Sequence, residues 1–476
     1  MSPKRHIHLI GICGTAMASL AGMLQRRGYK VTGSDMAAYP PMSDLLQELG
    51  IPVLQPYHER HLVSQPDLVV VGNAISRGNA EVEFALNARL PLQSLPQLLH
   101  DGFLLDREPV VVAGTHGKTT TTSMLSWIFH NAGRDPSFLV GGVAENFGSS
   151  FRLGEGRQFI LEGDEYDTAF FDKGPKFLHY FPQALVLTSV EFDHGDIYND
   201  LEAVKTSFKR LVNLVPQRGR IVAWDGGESA SNKTNLDDCL SRAFCPVERY
   251  GLGAGSYWRA VDLCFGAERT NWTILREGHP WAEVDFALAG EYNVLNATGA
   301  AAMAAAHGIT PPQVTEALRS FRSVKRRLEV RAVIGGITII DDFAHHPTAI
   351  AETLKALRKR YSGHRLWAVL EPRSNTLARN FFQQELAESL AQADEIVIAD
   401  VYRASRYSDA ERLDVDTLVS SLRAAGRGAH HLPDADAIVA GITPELRAGD
   451  VVAVLSNGGF GGIYEKWPAE LEKSGN

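Results

Sequence analysis

The sequence predicts an α/β protein of three domains, and three observations lead to this fold class. Short apolar runs of strand length alternate with segments whose apolar residues recur at helical spacing, which is typical of sheets flanked by helices. Glycine-rich turns follow several of these runs, and one such turn surrounds a lysine. The 476 residues exceed one ordinary core and suggest about three domains of roughly 100–200 residues each.

The first predicted domain, residues 1–106, starts with a strand at residues 6–12 and strands follow at Tyr29–Thr32 and Leu68–Gly72. The helix after the first strand presents apolar residues on one face, at Met17, Leu20, Met23 and Leu24. This order is Rossmann-like, and it places Asp35 where an acidic residue meets a ribose hydroxyl. Asn73, directly after the third strand, is a further candidate for substrate binding.

A glycine turn with Gly11 and Gly14 joins the first strand to its helix. It is suited to a diphosphate, because glycine lets the backbone approach the phosphates and the helix N-terminus attracts negative charge. Cys13 and Ala16 stand where glycine is frequent in such turns, so a tight turn without a ligand explains the pattern equally well.

The second predicted domain, residues 107–320, opens with an apolar strand ending at Ala113 and a loop that predicts nucleotide binding. The loop reads Gly114, Thr115, His116, Gly117, Lys118, Thr119 and Thr120. Lys118 is expected to neutralise the β and γ phosphates of ATP, and the Thr119 hydroxyl to hold Mg²⁺. Val112 occupies the position of the usual first glycine, which indicates a tighter loop.

Two acidic segments, Glu162–Asp167 and Glu191–Asp196, follow apolar strands of the same domain. The carboxyl ends of parallel strands share one sheet edge, so these carboxylates can reach a Mg²⁺ on the ATP phosphates. His194 could ligate a second metal through a neutral nitrogen. The alternative is a pair of solvated, Asp-rich turns. Later in the domain, residues 247–288 lack helical periodicity, and Ala297–His307 predicts a helix.

The third predicted domain, residues 321–476, is again a Rossmann-like alternation. Its apolar strands are predicted at Ile337–Ile340, Leu366–Leu370, Ile396–Ala399 and Val451–Leu455. Arginines near its start can hold phosphates or carboxylates bidentately and can enter a site when domains close.

Composition excludes several classes of function. The 47 basic and 56 acidic residues give a net charge of −9 without a basic run, so nucleic acid is not an expected partner. Four cysteines without a CxxC pair favour a reducing cytoplasm over a disulfide framework or a zinc site. A signal peptide is not expected, since His8 and glycines interrupt the apolar start and Arg26 and Arg27 follow it. No stretch predicts membrane insertion, and nothing indicates an oligomeric state.

The loop Gly114–Thr120 resembles the ATP loop of the Mur ligase family, and five further strings resemble that family's blocks in order. They are Glu162–Asp167, Glu191–Asp196, Gly290–Asn296, Arg326–Leu328 and Asp342–Thr348. The resemblance spans the chain and implies the three-domain Mur ligase architecture: a UDP-sugar domain, a central P-loop ATPase domain and a C-terminal domain that helps bind ATP and the incoming peptide. It also implies an ATP-dependent, amide-forming ligase that acts on UDP-N-acetylmuramate.

The resemblance further implies roles for individual residues. Thr119 and Glu162 would hold one Mg²⁺ and His194 a second, while Lys118 and Arg326 would serve catalysis and ATP binding. Asn293 would contact adenine, Asp342 would hold ATP from the C-terminal side, and Gly14 and Thr15 would meet the UDP phosphates. Some relatives carry a carbamylated lysine, and Lys209 or Phe208 could fall at that position, so it is not assigned.

Strings that differ within the family favour the members that attach a recycled murein tripeptide, L-alanyl-γ-D-glutamyl-meso-diaminopimelate, over those that attach L-alanine. They are Gly72–Asn79, Asp164–Lys173, Leu370–Thr376 and Ser456–Gly462. Arg373 and Asn375 are the expected contacts for this peptide. The alternatives are an L-alanine ligase, a nicotinamide-dependent oxidoreductase that uses the first glycine turn, and a regulatory ATPase without ligase activity.

Overall fold

A computed structural model describes residues 5–38 and 42–473 of the chain. The extreme ends of the two outer predicted domains therefore lie outside the described residues. The described chain contains three large sheets arranged in sequence order, each flanked by helices. The predicted α/β class with three units is confirmed. None of the helices in these residues is long and apolar enough to cross a bilayer.

The first sheet has five parallel strands in the order β3-β2-β1-β4-β5. Its elements are β1 (His6–Ile10), α1 (Thr15–Arg26), β2 (Lys30–Ser34), α2 (Met42–Glu48), β3 (Val53–Leu54), β4 (Leu68–Val71), α3 (Ala80–Asn87), β5 (Leu92–Ser94) and α4 (Leu95–Leu99). This is the Rossmann-type order predicted for the domain. Neither β3 nor β5 was predicted from the sequence.

The central sheet has ten strands in the order β17-β16-β15-β14-β13-β12-β6-β9-β7-β8. The strands are β6 (Glu108–Ala113), β7 (Ser137–Ala144), β8 (Ser149–Arg152), β9 (Gln158–Gly163), β12 (Ala184–Leu187), β13 (Arg220–Trp224), β14 (Val247–Gly251), β15 (Trp258–Phe265), β16 (Thr270–Arg276) and β17 (His279–Phe286). A separate hairpin is formed by β10 (Asp167–Ala169) and β11 (Asp172–Pro175). The helices are α5 (Lys118–Asn131), α6 (Leu201–Leu214), α7 (Ala230–Leu240), α8 (Glu291–Ala306) and α9 (Pro311–Arg319).

The register of three central strands positions the phosphate loop. The strand β6 lies between β9 and β12 and is parallel to both. Its last residue, Ala113, pairs with Gly163 of β9 and with Leu187 of β12. Because all three strands end at one level, the loop after β6 lies beside the two acidic segments, as the sequence predicted.

One expectation for the central domain needs correction. Helix α8 begins at Glu291 rather than Ala297, since the buried Val294 continues the helix toward its N-terminus. Residues 247–288, which show no helical periodicity, form the four strands β14 to β17. Buried residues alternate with more accessible ones along β16 and the first half of β15, as in strands with one covered face.

The third sheet has six strands in the order β18-β19-β23-β20-β21-β22, and only the β18–β19 pair is antiparallel. The strands are β18 (Glu329–Ile334), β19 (Ile337–Asp342), β20 (Leu366–Leu370), β21 (Glu395–Ile398), β22 (Gly428–His431) and β23 (Val451–Leu455). The helices are α10 (Pro347–Arg360), α11 (Gln383–Leu390), α12 (Val415–Ala424), α13 (Ala435–Ile442) and α14 (Ile463–Lys473). The edge strands β18 and β22 were not predicted, since they lack a continuous apolar run.

Close packing joins the first domain to the central one through α1. Ser19 on this helix lies 2.7 Å from Ser150 of β8, oxygen to oxygen. A Cβ at Gly22 would lie 2.4 Å from the ring of Phe151, so glycine allows this approach. The Phe151 ring is buried against the first domain and belongs to a core shared by both.

Candidate active site

The phosphate loop is shaped by two glycines with positive φ. Gly114 has φ +139°, and a Cβ there would lie 2.1 Å from the hydroxyl of Thr188. Gly117 has φ +81° and immediately precedes α5, and a Cβ there would lie 2.5 Å from Oδ1 of Asn296. Both positions therefore require glycine for space as well as for conformation. The free N–H groups at the start of α5 make this turn an anion-binding geometry.

Lys118, the first residue of α5, is held by three acceptors. Its Nζ donates to the carbonyl oxygens of Gly114 at 2.7 Å and Thr115 at 3.1 Å, and to Oε1 of Glu165 at 2.9 Å. Burial opposes its charge, but the carboxylates of Glu165 and Asp164 raise the pKa of Lys118. The lysine therefore stays charged at neutral pH, as a phosphate-binding role requires.

Thr119 and Glu162, both predicted to hold Mg²⁺, lie in contact. The Thr119 hydroxyl donates to Oε1 of Glu162 at 2.9 Å, and the Gly141 N–H donates to Oε2 at 2.7 Å. Burial raises the pKa of the Glu162 carboxyl. A second carboxylate, Glu165, is buried nearby with its Oε2 unpartnered. Hydroxyl and carboxylate oxygens are the ligands that Mg²⁺ prefers, so these residues fit the ion.

His194 faces the same carboxylate as Lys118. Its Nε2 lies 3.3 Å from Oε1 of Glu165 and 4.0 Å from a carboxylate oxygen of Asp193. Although burial opposes the charged form, Glu165 and Asp193 raise the pKa of His194 to about 9. A histidine ligates a metal only as the neutral base, so cation binding here would release a proton.

A cavity of about 800 Å³ opens beside the phosphate loop. Its walls come from the central domain and from the third domain. Among the predicted site residues, the cavity is lined by His116, Gly117, Thr120, Asn293 and Asp342. The Asp342 carboxylate is held by the N–H groups of Leu328 and Ala344, at 2.8 and 2.9 Å. The volume is in the range of small-molecule sites.

The structure turns Arg326 away from this cavity. Its Nε lies 3.1 Å from a carboxylate oxygen of Asp341, and Nη2 donates to Tyr464 Oη and to the Ser456 carbonyl, at 3.0 and 2.7 Å. The neighbouring Arg327 lines the cavity instead. In this arrangement Arg326 holds three segments of the third domain together.

Contacts between the central and third domains surround the cavity. The Thr348 hydroxyl, at the start of α10, donates to Oε2 of Glu191 at 2.7 Å. His116 Nε2 lies 3.3 Å from the same oxygen. The His346 ring packs on that of His116 with centroids 4.7 Å apart, and its Nε2 donates to the Phe192 carbonyl at 3.2 Å. One domain boundary therefore passes through the phosphate loop itself.

Ligand atoms of His116, Glu191 and His346 all lie within 4.8 Å of one another. This spacing is compatible with a metal ion. However, Nδ1 of His346 accepts from the Thr348 N–H at 3.3 Å, so both of its ring nitrogens already have partners. We therefore interpret the group as a hydrogen-bonded contact between domains.

Of the two expected peptide contacts, Asn375 lies at the same boundary and Arg373 packs within the third domain. Asn375 donates to Oδ2 of Asp196 at 2.9 Å, across the two domains. The Arg373 guanidinium lies 3.9 Å from the centroid of the Tyr402 ring. A Cβ at Gly458 would lie 2.1 Å from Nε of Arg373, so the glycine leaves room for this arginine.

The candidate residues of the first domain lie at the carboxyl edge of its own sheet. Gly14 caps α1, whose first residue is Thr15, and Asn73 is exposed after β4. Oδ2 of Asp35 accepts from the Cys13 N–H at 2.9 Å, which ties it to the glycine turn. None of these four predicted residues is among those that line the 800 Å³ cavity.

The lysine considered for carbamylation has another partner. Lys209 on α6 forms an ion pair of 2.9 Å with Asp238 on α7. Phe208 is fully buried and packs on Phe177 with ring centroids 5.4 Å apart. Neither contact involves the predicted cation ligands.

Several residues of the site were not assigned from the sequence. Glu165 belongs to an acidic segment but had no role of its own, and Arg327 and Asn296 lie in the strings that resemble the Mur ligase family, also without assigned roles. Gly141 lies on β7, a strand the sequence analysis did not predict. Contacts such as Thr348 with Glu191 join residues 157 positions apart, so no local pattern signals them.

Three family models match the chain in order. The Mur ligase family, catalytic domain, matches residues 6–103; the Mur ligase middle domain matches residues 112–304; and the Mur ligase, glutamate ligase domain, matches residues 326–458. Together they cover parts of all three sheets.

Individual relatives match over nearly the whole length. The UDP-N-acetylmuramate–L-alanyl-γ-D-glutamyl-meso-2,6-diaminoheptandioate ligase of Escherichia coli is 44% identical, covering 97% of both chains. The crystal structure of a murein peptide ligase from Psychrobacter arcticus has a TM-score of 0.74 at 36% identity and 99% coverage of both chains. The UDP-N-acetylmuramate–L-alanine ligase of Clostridium tetani is 32% identical, covering 97% of this chain and 96% of its own.

Proposed function

The chain belongs to the Mur ligase family, and on this premise we propose that it joins L-alanyl-γ-D-glutamyl-meso-diaminopimelate to UDP-N-acetylmuramate at the expense of ATP. The products are the UDP-muramoyl tripeptide, ADP and phosphate. The observation that carries the choice of substrate is the 44% identity, over 97% of both chains, to the E. coli tripeptide ligase. The L-alanine ligase is 32% identical over a similar length.

The geometry of the phosphate loop supports the use of ATP. Lys118 is charged and mostly buried at the start of α5. The N–H groups of the first turn of this helix add a second attraction for phosphate. The cavity beside it is lined by Asn293 from α8 and by Asp342 from the third domain, the residues expected at adenine and on the C-terminal side of ATP. The proposed nucleotide thus lies between two domains.

ATP is needed because a carboxylate is a poor acceptor for an amine, as its leaving group would be an oxide. In the proposed reaction, the lactyl carboxylate of the sugar attacks the γ phosphorus and ADP leaves, which gives an acyl phosphate. Lys118 neutralises charge on the transferred group. The peptide amine then attacks the acyl carbon, phosphate leaves, and the amine loses a proton.

Thr119, Glu162 and His194 are proposed to hold Mg²⁺, which neutralises phosphate charge when bound. Gly141 orients the Glu162 carboxylate by its N–H group. Closing contacts such as Thr348 with Glu191 and Asn375 with Asp196 would keep water from the acyl phosphate.

The sugar nucleotide is proposed to bind in the first domain, with Gly14 and Thr15 at its diphosphate and Asp35 and Asn73 beside it. Arg373 and Asn375 are proposed to contact the tripeptide, whose carboxylates match the charge of the arginine. We also propose a cytoplasmic location, which agrees with four free cysteines and with the need for ATP. Neither nucleic acid nor a membrane has a part in this function.

A product assay tests the proposal. Purified protein is incubated with ATP, Mg²⁺, UDP-N-acetylmuramate and either the tripeptide or L-alanine, and ADP and the new UDP-linked product are measured. We expect the tripeptide to give a kcat/KM at least tenfold above that of L-alanine, a difference of about 1.4 kcal/mol. A higher kcat/KM for L-alanine would show that the substrate is wrong, and absence of any ligated product would refute ligase activity.

A further inference from the structure

Glu165 is a buried carboxylate at the phosphate loop with one oxygen in use and one free of partners. Only 2% of the residue is exposed. Oε1 accepts from Lys118 at 2.9 Å and lies 3.3 Å from Nε2 of His194. Oε2 is buried and has no hydrogen-bond partner. The backbone of Glu165 is fixed as well, since its carbonyl accepts from the Tyr198 hydroxyl at 2.7 Å.

A buried carboxylate with a purely structural role satisfies both of its oxygens, and this chain contains such a residue. Glu81 in the first domain is fully buried. Its Oε1 accepts from His61 and from the His58 N–H, and its Oε2 contacts His8 and Ser34. Leaving a buried carboxylate oxygen unpaired is destabilising, because the oxygen has lost its water without gaining a donor. The free Oε2 of Glu165 therefore indicates that it serves an occupant of the active site.

The chemistry around Oε2 selects the class of occupant. An anionic oxygen repels phosphate, so it cannot itself hold the nucleotide. Lys118 and His194 neutralise Oε1 but do not reach Oε2. A hard divalent cation is what an unpaired carboxylate oxygen binds, especially beside a histidine nitrogen and negative phosphates. The cation that fits this requirement is Mg²⁺ or Mn²⁺.

We propose that Glu165 forms an ion pair with Lys118 while no phosphate is bound to the loop. When a phosphate binds Lys118, Glu165 binds a divalent cation together with His194. Glu165 thus joins the set of Thr119, Glu162 and His194 as a cation ligand. Lys118 keeps its proton in this exchange, and only its anionic partner is replaced, whereas His194 releases a proton to solvent when it binds the cation. The inference rests on the proposed function for the identity of the nucleotide.

Two measurements on Glu165→Gln test the two halves of this proposal. Without divalent cations, ADP binding is followed by titration calorimetry in chelator. The variant should bind ADP about tenfold more tightly, because Lys118 no longer has to leave a carboxylate. With AMP-PCP present, Mn²⁺ binding is followed by electron paramagnetic resonance. The variant should bind at least one Mn²⁺ tenfold or more weakly than the wild type.

Two further variants separate cation binding by Glu165 from a general effect of charge and from folding defects. Glu108→Gln removes a carboxylate paired with Arg157 at the start of β6, the strand end opposite the phosphate loop, and should leave both affinities unchanged. Glu165→Asp keeps the charge but withdraws the oxygen by one methylene, so Mn²⁺ should also bind more weakly. It provides the readout if Glu165→Gln does not fold.

The proposal is wrong if Glu165→Gln binds Mn²⁺ with wild-type stoichiometry and affinity, or if Glu165→Asp does so. It is also wrong if ADP binds Glu165→Gln no more tightly than the wild type in chelator. These titrations follow ADP and Mn²⁺ binding and do not depend on amide-bond formation. A protein that binds AMP-PCP and Mn²⁺ as expected but forms no tripeptide product would refute only the proposed function.

Discussion

The Thr348 hydroxyl of α10 donates a hydrogen bond of 2.7 Å to Oε2 of Glu191, and this bond joins the third domain to the central domain beside the phosphate loop. His116 of the loop contacts the same oxygen at 3.3 Å. Burial opposes the charge of Glu191, but His116 and Thr348 lower its pKa to about 2. The charged Glu191 carboxylate thus connects the phosphate loop of the central domain to helix α10 of the third domain.

Removing this bond should weaken domain closure around ATP. For Thr348→Val we expect kcat/KM for ATP to fall about tenfold, since a hydrogen bond to a charged group contributes about 1.5–3 kcal/mol. The coupled ligase assay measures this ratio. Thr315→Val is the matched control, because its hydroxyl bonds only to the Pro312 carbonyl within α9. Equal kcat/KM values for both variants would mean that the Thr348 contact has no role in closure.

Gly117 and Gly133 form a matched pair for the loop geometry. Both have positive φ, +81° and +75°, so alanine should strain either backbone by about 1 kcal/mol. Only at Gly117 would the Cβ meet a neighbour, Asn296, whereas nothing lies within 4 Å of one at Gly133. We expect Gly133→Ala to keep wild-type ATP affinity and Gly117→Ala to bind ATP at least tenfold more weakly. Calorimetric titration with ATP and thermal unfolding check the two effects separately.

Acidification should destabilise the domain boundary through His346. Burial, followed by the charge of His116, lowers the pKa of His346 to about 4, although Asp193 and Glu191 favour its charged form. The unfolded chain therefore binds more protons than the folded chain between about pH 6.5 and 4, and stability falls as the pH falls through this window. The loss from this one group is at most about 3 kcal/mol.

The contribution of His346 is isolated by comparing the pH dependence of the unfolding free energy of the wild type with that of His346→Asn. His346→Asn keeps a polar side chain without the titrating ring, so its free energy of unfolding should fall less than that of the wild type between pH 6.5 and 4. Denaturant unfolding at several pH values measures both slopes. Parallel curves would show that His346 does not carry the pH dependence.

Arg373 should discriminate between the amine substrates. The guanidinium is held between Tyr402 and Gly458, and its Nη1 lies 3.4 Å from Glu371. Arg373→Ala should raise the KM for the tripeptide about tenfold or more, because a charged pair with a peptide carboxylate is lost. The KM for UDP-N-acetylmuramate should change little, since that substrate is proposed to bind in the first domain. If the KM for UDP-N-acetylmuramate changed more than the KM for the tripeptide, Arg373 would not be a peptide contact.

Much of the fold follows from local patterns. The run before Gly114 is fully buried as β6, and the predicted strands after it are β9 and β12, because continuous apolar runs bury both faces of a parallel sheet. Strands with weaker signals were missed. The two-residue β3 and the alternating β15 and β16 carry no such run, and their positions depend on neighbours in the sheet.

The sequence by itself determined the chemistry of the nucleotide loop and the family, since Gly114, Gly117, Lys118 and Thr119 act within one turn of chain. Only the tertiary structure decided which distant groups they meet. Glu165, 47 positions after Lys118, became its partner because β6 and β9 end side by side. Arg326 turned to Asp341 rather than to the cavity, and Thr348 reached Glu191 through domain docking. Residue types set what a side chain can bind, whereas the packing of sheets and domains sets what lies within its reach.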